Sequence, residues 1–326
     1  MRVLAGDVGG TKTIIALAEV QGTQVTVLSE QRYDSKGHGT LDEIVRAFLA
    51  EHPAPGLPAC FGVAGPVAGN ACQATNLPWR IDGDALGRSL GLGSTVLIND
   101  FAAAALSIDA LGPADLATLH DGAPDPKGPR AVLGAGTGLG EAVLVYNGSR
   151  YEVLPSEGGH GDFAPRNALE IGLLEHLLKR FPDHVSYERV VSGPGLVNVY
   201  DYLRDAAVAP ESTAVREAMT REDRGAVIGR NAVGGSDALC VRAVELFGAI
   251  YGAEAGNLAL KVLASGGVYL MGGIAAKILP CLEQGSFVEG YLSKGRLRRV
   301  VERYPVRVVV NPRFGLLGAA VRAAQA

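Results

Sequence analysis

The sequence predicts an α/β protein of two domains, and three observations carry that prediction. Short apolar runs ending in glycine alternate with 3.6-residue apolar patterns. The 326 residues exceed the roughly 100–200 of a single domain. A glycine-rich strand–turn–strand segment also occurs twice. Composition excludes several function classes: 30 Lys and Arg against 34 Asp and Glu give a formal net charge of -4, too balanced to hold a polyphosphate backbone, so no nucleic-acid partner is expected. Four scattered cysteines without C-x-x-C spacing write neither a disulfide framework nor a zinc site and fit a reducing compartment. Met1-Arg2-Val3-Leu4-Ala5-Gly6-Asp7 lacks the pattern of a secretory leader, and no run reaches the roughly 20 apolar residues of a membrane span. A cytoplasmic protein with no membrane partner is expected.

Val3–Asp7, Thr13–Val20 and Gln24–Ser29, broken by Gly9-Gly10 and Gly22, read as an antiparallel meander. Thr40-Leu41-Asp42-Glu43 has the form of a capping box, and Leu41, Ile44, Val45, Phe48 and Leu49 continue it as an amphipathic helix. Ala59–Ala64 and Thr95–Ile98 read as buried parallel strands, whose ends are where α/β sheets place ligands. The Gly/Pro/Asp-rich segment Asp121–Pro129 is an exposed loop before a new strand, Ala131-Val132-Leu133, and the domain junction is placed near residue 112. Helices are expected over Ile171–Phe181, Asp237–Leu263 and Gly315–Ala324.

Asp7-Val8-Gly9-Gly10-Thr11-Lys12-Thr13 is echoed by Gly134-Ala135-Gly136-Thr137-Gly138-Leu139-Gly140. Glycines in such hairpins leave N–H groups uncovered and the threonine adds a hydroxyl, so each can cradle phosphate; on the residues alone, a bare turn is the alternative. Each hairpin precedes a strand pattern and neither contains G-x-x-x-x-G-K-[ST], so these are not Walker or Rossmann loops. Asp7 can hold magnesium or its water shell, or merely brace its own turn, while Lys12 adds a positive charge. Asp100, in Asn99-Asp100-Phe101 at a strand end, could take a proton from an attacking hydroxyl or could N-cap the run Phe101–Leu106. Glu157-Gly158-Gly159-His160 and Glu188, the latter placed at a helix start, offer fixed acceptors for a hydroxyl-rich ligand; surface acids are the rival. Glu141 reads as a strand residue. Gly272-Gly273, after an apolar strand, admits either a flat ring or close helix packing.

Taken in order, Gly6–Lys12, Gly65-Pro66-Val67, Leu97–Phe101, Gly136–Gly140, Ser156–His160, Glu188–Gly195 and Met271-Gly272-Gly273 make the chain resemble the bacterial glucokinases of the hexokinase, actin and Hsp70 ATPase superfamily. The resemblance covers nearly the whole chain. It implies a two-domain actin-like ATPase (ribonuclease H-like) fold with an interdomain cleft, residues 1–112 plus 305–326 forming a small domain and 113–304 a large one. It implies ATP-dependent phosphorylation of glucose at the 6-hydroxyl, feeding glycolysis, in a homodimer. Asp100 would be the catalytic base, and Asn99, Asp100, Glu157, His160 and Glu188 the sugar ligands, with Asn76 nearby. Asp7, Gly9, Gly10, Thr11, Lys12, Gly136, Thr137 and Gly138 would hold the phosphates of ATP, Gly272 and Gly273 its adenosine, and Asp7 a Mg2+ ion through water. Related kinases with a Cys-rich zinc cluster differ here, because Gly161-Asp162-Phe163-Ala164-Pro165 follows His160; no zinc is expected.

Overall fold

Side chains alternate along β1 (Arg2–Val8), so Val3 and Ala5 face one way and Leu4 and Val8 the other, and all four are buried. A strand buried on both faces needs a layer on each. Val3 and Ala5 meet Leu316, Ala319, Ala320 and Ala323 of the C-terminal helix Phe314–Ala324, whose small residues permit close approach. Leu4 and Val8 meet Ile44, Val45 and Phe48 of the helix Leu41–Glu51. That helix starts as expected, with Thr40 Oγ1 accepting from Glu43 N, although Glu43 returns its bond to Gly39 N and not to the cap itself.

The structure is a computed structural model that describes residues Met1–Ala326, and the chain divides into two units. The first comprises Met1–Leu116, Tyr151–Val153 and Asn311–Ala326. Its sheet contains β1, β2 (Lys12–Gln21), β3 (Gln24–Asp34), β4 (Ala59–Val63) and a later parallel strand, Thr95–Asn99. A small antiparallel sheet that the sequence reading missed lies between them in the chain: β5 (Val67–Ala68), β6 (Ala71–Gln73) and β7 (Arg80–Asp82). With Thr95–Asn99 as β8, the main sheet runs β3-β2-β1-β4-β8, an antiparallel meander joined to parallel strands.

The second unit comprises Ala117–Arg150 and Leu154–Val310. The second sheet contains β9 (Leu116–His120), β10 (Arg130–Ala135), β11 (Leu139–Tyr146), β12 (Tyr151–Ser156), β13 (Gly267–Met271) and β14 (Val306–Val309), in the order β12-β11-β10-β13-β14-β9. Its first five strands repeat the order of the first sheet, with β10 antiparallel to β11 and parallel to β13. The 25-residue helix Ala238–Val262 forms the centre of its core and is capped by Asp237, whose Oδ1 accepts from Cys240 N at 2.8 Å.

Three sequence expectations change. The helix expected over Ile171–Phe181 runs Ala168–Leu178, because Asn167 Oδ1 accepts from Glu170 N and sets the start earlier. Asp100 is not an N-cap; Asn99 takes that place and Asp100 opens the helix Asp100–Leu106. Glu188 lies in a single 3-10 turn, Tyr187–Arg189, while the helix begins at Gly193 with Ser192 as its cap. No helix is long and apolar enough to cross a membrane.

Candidate active site

Within the first unit, the β1–β2 turn closes with Gly9 N donating to Lys12 O at 2.9 Å. Ser35 Oγ donates to Gly9 O at 2.8 Å and shares a hydrogen bond with the buried Thr13 hydroxyl at 2.9 Å, so the residue following β3 pins the hairpin. Thr11 and Lys12 are exposed. Gly10 has no room for a side chain, since a Cβ there would lie 2.6 Å from Asn76 Cβ; this packing brings Asn76 to the hairpin.

Asp7 pairs with Ile14 two rungs below the turn. Its carboxylate accepts no hydrogen bond and rests against Gly315, where a Cβ would lie 3.1 Å from Oδ2. Burial raises its pKa, the Lys12 charge opposes this and the Asp100 charge adds to the rise. A half-buried, unpartnered carboxylate beside uncovered hairpin amides fits Mg2+, which binds through one or two carboxylates and keeps most of its waters.

Asn99 Oδ1 accepts from Phe101 N at 2.9 Å and Ala102 N at 3.2 Å, and its Nδ2 donates to Gly65 O at 3.1 Å. Most of this amide therefore serves to hold the β8–helix corner. Asp100 Oδ1 accepts from Phe101 N at 2.9 Å, and the Asp100 N–H and the Asn99 amide also bear on the carboxylate. Burial raises the Asp100 pKa, against the opposing Phe101 N–H and Asn99 amide. The corner is tight: a Cβ at Gly62 would meet Ala103 Cβ at 2.9 Å, and one at Gly318 would collide with Ala103 O.

Within the second unit, Gly136 N donates to Gly138 O at 2.8 Å, and Gly136 O accepts from Gly193 N at 2.8 Å. The hairpin is thus tied to the start of the helix Gly193–Asp205. Thr137 is exposed and a Cβ at Gly136 or Gly273 would meet nothing within 4 Å, so both glycines border open space. Gly272 has φ +87° and sits 2.6 Å, by its would-be Cβ, from Ala135 O. Only glycine suits that position.

Glu157, His160 and Glu188 converge. His160 Nε2 lies 3.9 Å from Glu157 Oε2, and Nδ1 lies 4.0 Å from Glu188 Oε1. Glu188 Oε2 accepts from Leu139 N at 3.0 Å, linking the trio to the second hairpin. The turns are also joined directly, Tyr187 N donating to Gly161 O at 3.0 Å.

The structure thus brings Asp7, Gly9, Gly10, Thr11, Lys12, Asn76, Asn99 and Asp100 into the first unit, and Gly136, Thr137, Gly138, Glu157, His160, Glu188, Gly272 and Gly273 into the second. Sequence reasoning missed the supports: Thr13 and Ser35 under the first hairpin, Gly315 beside Asp7, and Gly193 behind Gly136. A glycine at the head of an alanine-rich helix was the available signal for Gly315. Two hydroxyls 22 residues apart give none.

A family model described as "Glucokinase" matches residues 4–326. The glucokinase of a Nostoc species is 45% identical over 338 residues, covering 99% of both chains. Among solved structures, glucokinase from an Antarctic psychrotroph superposes with a TM-score of 0.89 at 30% identity, covering 100% of this chain and 99% of that one. A ROK family glucokinase from Streptomyces griseus, in complex with glucose and AMPPNP, has a TM-score of 0.66 at 23% identity, covering 100% of both chains. The fold is the two-domain actin-like ATPase fold.

Proposed function

The chain belongs to the glucokinase family, and from that premise we propose that it transfers the γ-phosphoryl of ATP to the 6-hydroxyl of D-glucose with Asp100 as general base. The observation that carries this reading is the Asp100 carboxylate itself: at a strand's C-terminal end, opening a helix, and raised in pKa by burial. Phosphoryl transfer passes through a loose transition state, so orientation and charge neutralisation outweigh proton abstraction. Asp100 orients the hydroxyl and takes its proton late, while Glu157, His160 and Glu188 hold the other hydroxyls and Asn99 fixes the corner from which Asp100 projects. The hairpin amides of Gly10 and Gly138, with Thr11, Thr137 and Lys12, bind phosphate oxygens; Gly9 and Gly136, whose own N–H groups close the turns, let the phosphates approach the bare backbone, and Gly272-Gly273 leaves room for adenosine. Bound at Asp7 through water, Mg2+ would neutralise charge on the transferring phosphate. The same reading makes the protein a cytoplasmic homodimer feeding glycolysis; four free, buried cysteines suit a reducing compartment.

The test is Asp100→Ala. General-base removal is typically worth 10²–10⁴-fold, or about 3–5 kcal/mol of barrier, so turnover should fall by that much while calorimetry still registers glucose binding. Near-normal turnover would remove Asp100 from the role. ADP release without sugar at the rate seen with it would replace the kinase reading by an ATPase.

A further inference from the structure

Two carboxyls lie buried beneath the turns that bear Glu157, His160 and Glu188. Glu141, on β11, is 2% exposed and Glu254, on the helix Ala238–Val262, is 1% exposed. No protein donor reaches the buried Glu141 Oε1; the carboxyl meets that of Glu254, to which it donates only when it carries a proton, and Oε2 occupies the space a Cβ at Gly158 would need. The next residue, Gly159, packs against the Leu139 carbonyl, while the Leu139 N–H is held by Glu188 Oε2. Glu254 continues the connection from the other side. Asn257 Nδ2 donates to Glu254 Oε2 at 2.8 Å and to the Tyr187 hydroxyl at 3.1 Å, and Tyr187 opens the turn carrying Glu188. Lys294 Nζ completes the cluster, donating to Asn257 Oδ1 at 2.6 Å and Ala253 O at 2.7 Å.

A buried carboxyl needs a reason to persist, because burial without full pairing costs stability. We propose that Glu141 is a positioning residue: neutral beneath Gly158 and coupled through Glu254, Asn257 and Tyr187, it sets the two turns that present Glu157, His160 and Glu188 to the sugar. This rests on the reading of those three residues as glucose ligands.

The chemistry makes the role sensitive to pH. Burial pushes Glu141 up to about 8, the charge of Glu254 adds to the rise and Lys261 opposes it. Lys261 Nζ lies 3.8 Å from Glu254 Oε1, and Tyr251 faces Glu141 from the same helix. The turn above brings Glu157 and His160, whose side chains are 92% and 59% exposed. On the far side, Lys294 feels Arg166 and is lowered by burial to about 8. Ionising Glu141 would set two buried like charges against each other under Gly158. The turn must then shift or admit water.

The experiment is the pH profile of KM for glucose and of kcat, from pH 6 to 9.5, for the native enzyme, Glu141→Gln and Glu141→Asp. If sugar binding needs neutral Glu141, native KM rises by up to about tenfold per pH unit above the Glu141 pKa while kcat changes less. Glu141→Gln keeps shape and neutrality, so its KM should stay at the native neutral-pH value throughout. Glu141→Asp withdraws the carboxyl from Gly158 and should raise KM for glucose at pH 7 with KM for ATP unchanged, a split that general misfolding would not give. A native KM flat across the range, or a Glu141→Gln profile that coincides with the native rise, overturns the proposal; the latter assigns the titration to another group, Lys294 first. Failure of the native protein to phosphorylate glucose sinks the functional reading beneath it, whereas active enzymes with coincident profiles sink this inference alone.

Discussion

The two hairpins stand on sheets of the same strand order, yet their rungs carry opposite chemistry. In the first, Val8 pairs with Thr13, Asp7 with Ile14 and Gly6 with Ile15; in the second, Ala135 pairs with Leu139, Gly134 with Gly140 and Leu133 with Glu141. The second rung offers a carboxylate in one copy and glycine in the other. On the third, an Ile15 with 0% exposure, packed among apolar neighbours, corresponds to the buried Glu141. Duplicated backbone therefore gives two turns of one shape, while the carboxyls beneath them differ: a half-buried one beside the first turn and a fully buried one below the second.

The sharpest way to break this comparison is to neutralise Asp7. With Asp7→Asn we expect kcat/KM for ATP to fall by about 10²–10³-fold, the loss seen when one fixed electrostatic partner is removed, and the Mg2+ concentration for half-maximal rate to rise. An effect under tenfold would mean that the two hairpins bind phosphate alike. Acidification should act in the same direction. Burial raises both Asp7 and Asp100 above 3.8, so as pH falls each takes up its proton earlier than an exposed aspartate would. The acid limb of the kcat/KM profile should lie above the ordinary carboxylate range.

Stability gives the next largest effect. Glu141 is raised from 4.5 to about 8, so between those values the folded chain binds a proton that the unfolded chain lacks. Its contribution is least unfavourable below pH 4.5 and worsens as pH rises toward 8. Glu141→Gln removes that titration. The variant should melt above the native protein by several degrees at pH 8, at about 2–4 °C per kcal/mol, with the gap closing toward pH 5. Calorimetric scans at those two pH values read it directly. Ile15→Gln, at the corresponding rung of the first sheet, should instead lower the melting temperature at both, because it buries an amide without a partner.

The parts legible in the sequence were those set by local pattern. Strand patterns between glycine turns mark the meander, short continuous apolar runs mark the parallel strands, and the glycine echo points to two similar hairpins; that the two sheets share a strand order is visible only in the structure. Asn99 and Asp100 illustrate the limit. Both were singled out, but which of the two caps the helix depends on one backbone angle, and the structure gives the cap to Asn99. Glu141 was read as a plain strand residue because nothing local distinguishes an exposed strand carboxyl from a buried one. Its partner, Glu254, lies 113 residues away on a helix (254 minus 141), and only tertiary packing brings them together.

The smallest effects separate close packing from ligand space. Gly10→Ala places a Cβ 2.6 Å from Asn76 Cβ, so the hairpin must move; overpacking of this kind costs about 1–3 kcal/mol and should lower the melting temperature. Gly136→Ala meets no protein atom within 4 Å. It should leave the melting temperature unchanged, yet if nucleotide phosphate approaches that backbone, KM for ATP should rise by about three- to tenfold, a cost of about 0.7–1.4 kcal/mol. Thermal scans and ATP titrations on the two variants test both halves. An unchanged KM in Gly136→Ala would leave the second hairpin a turn that faces solvent, and phosphate binding would then rest on the first hairpin and its charges.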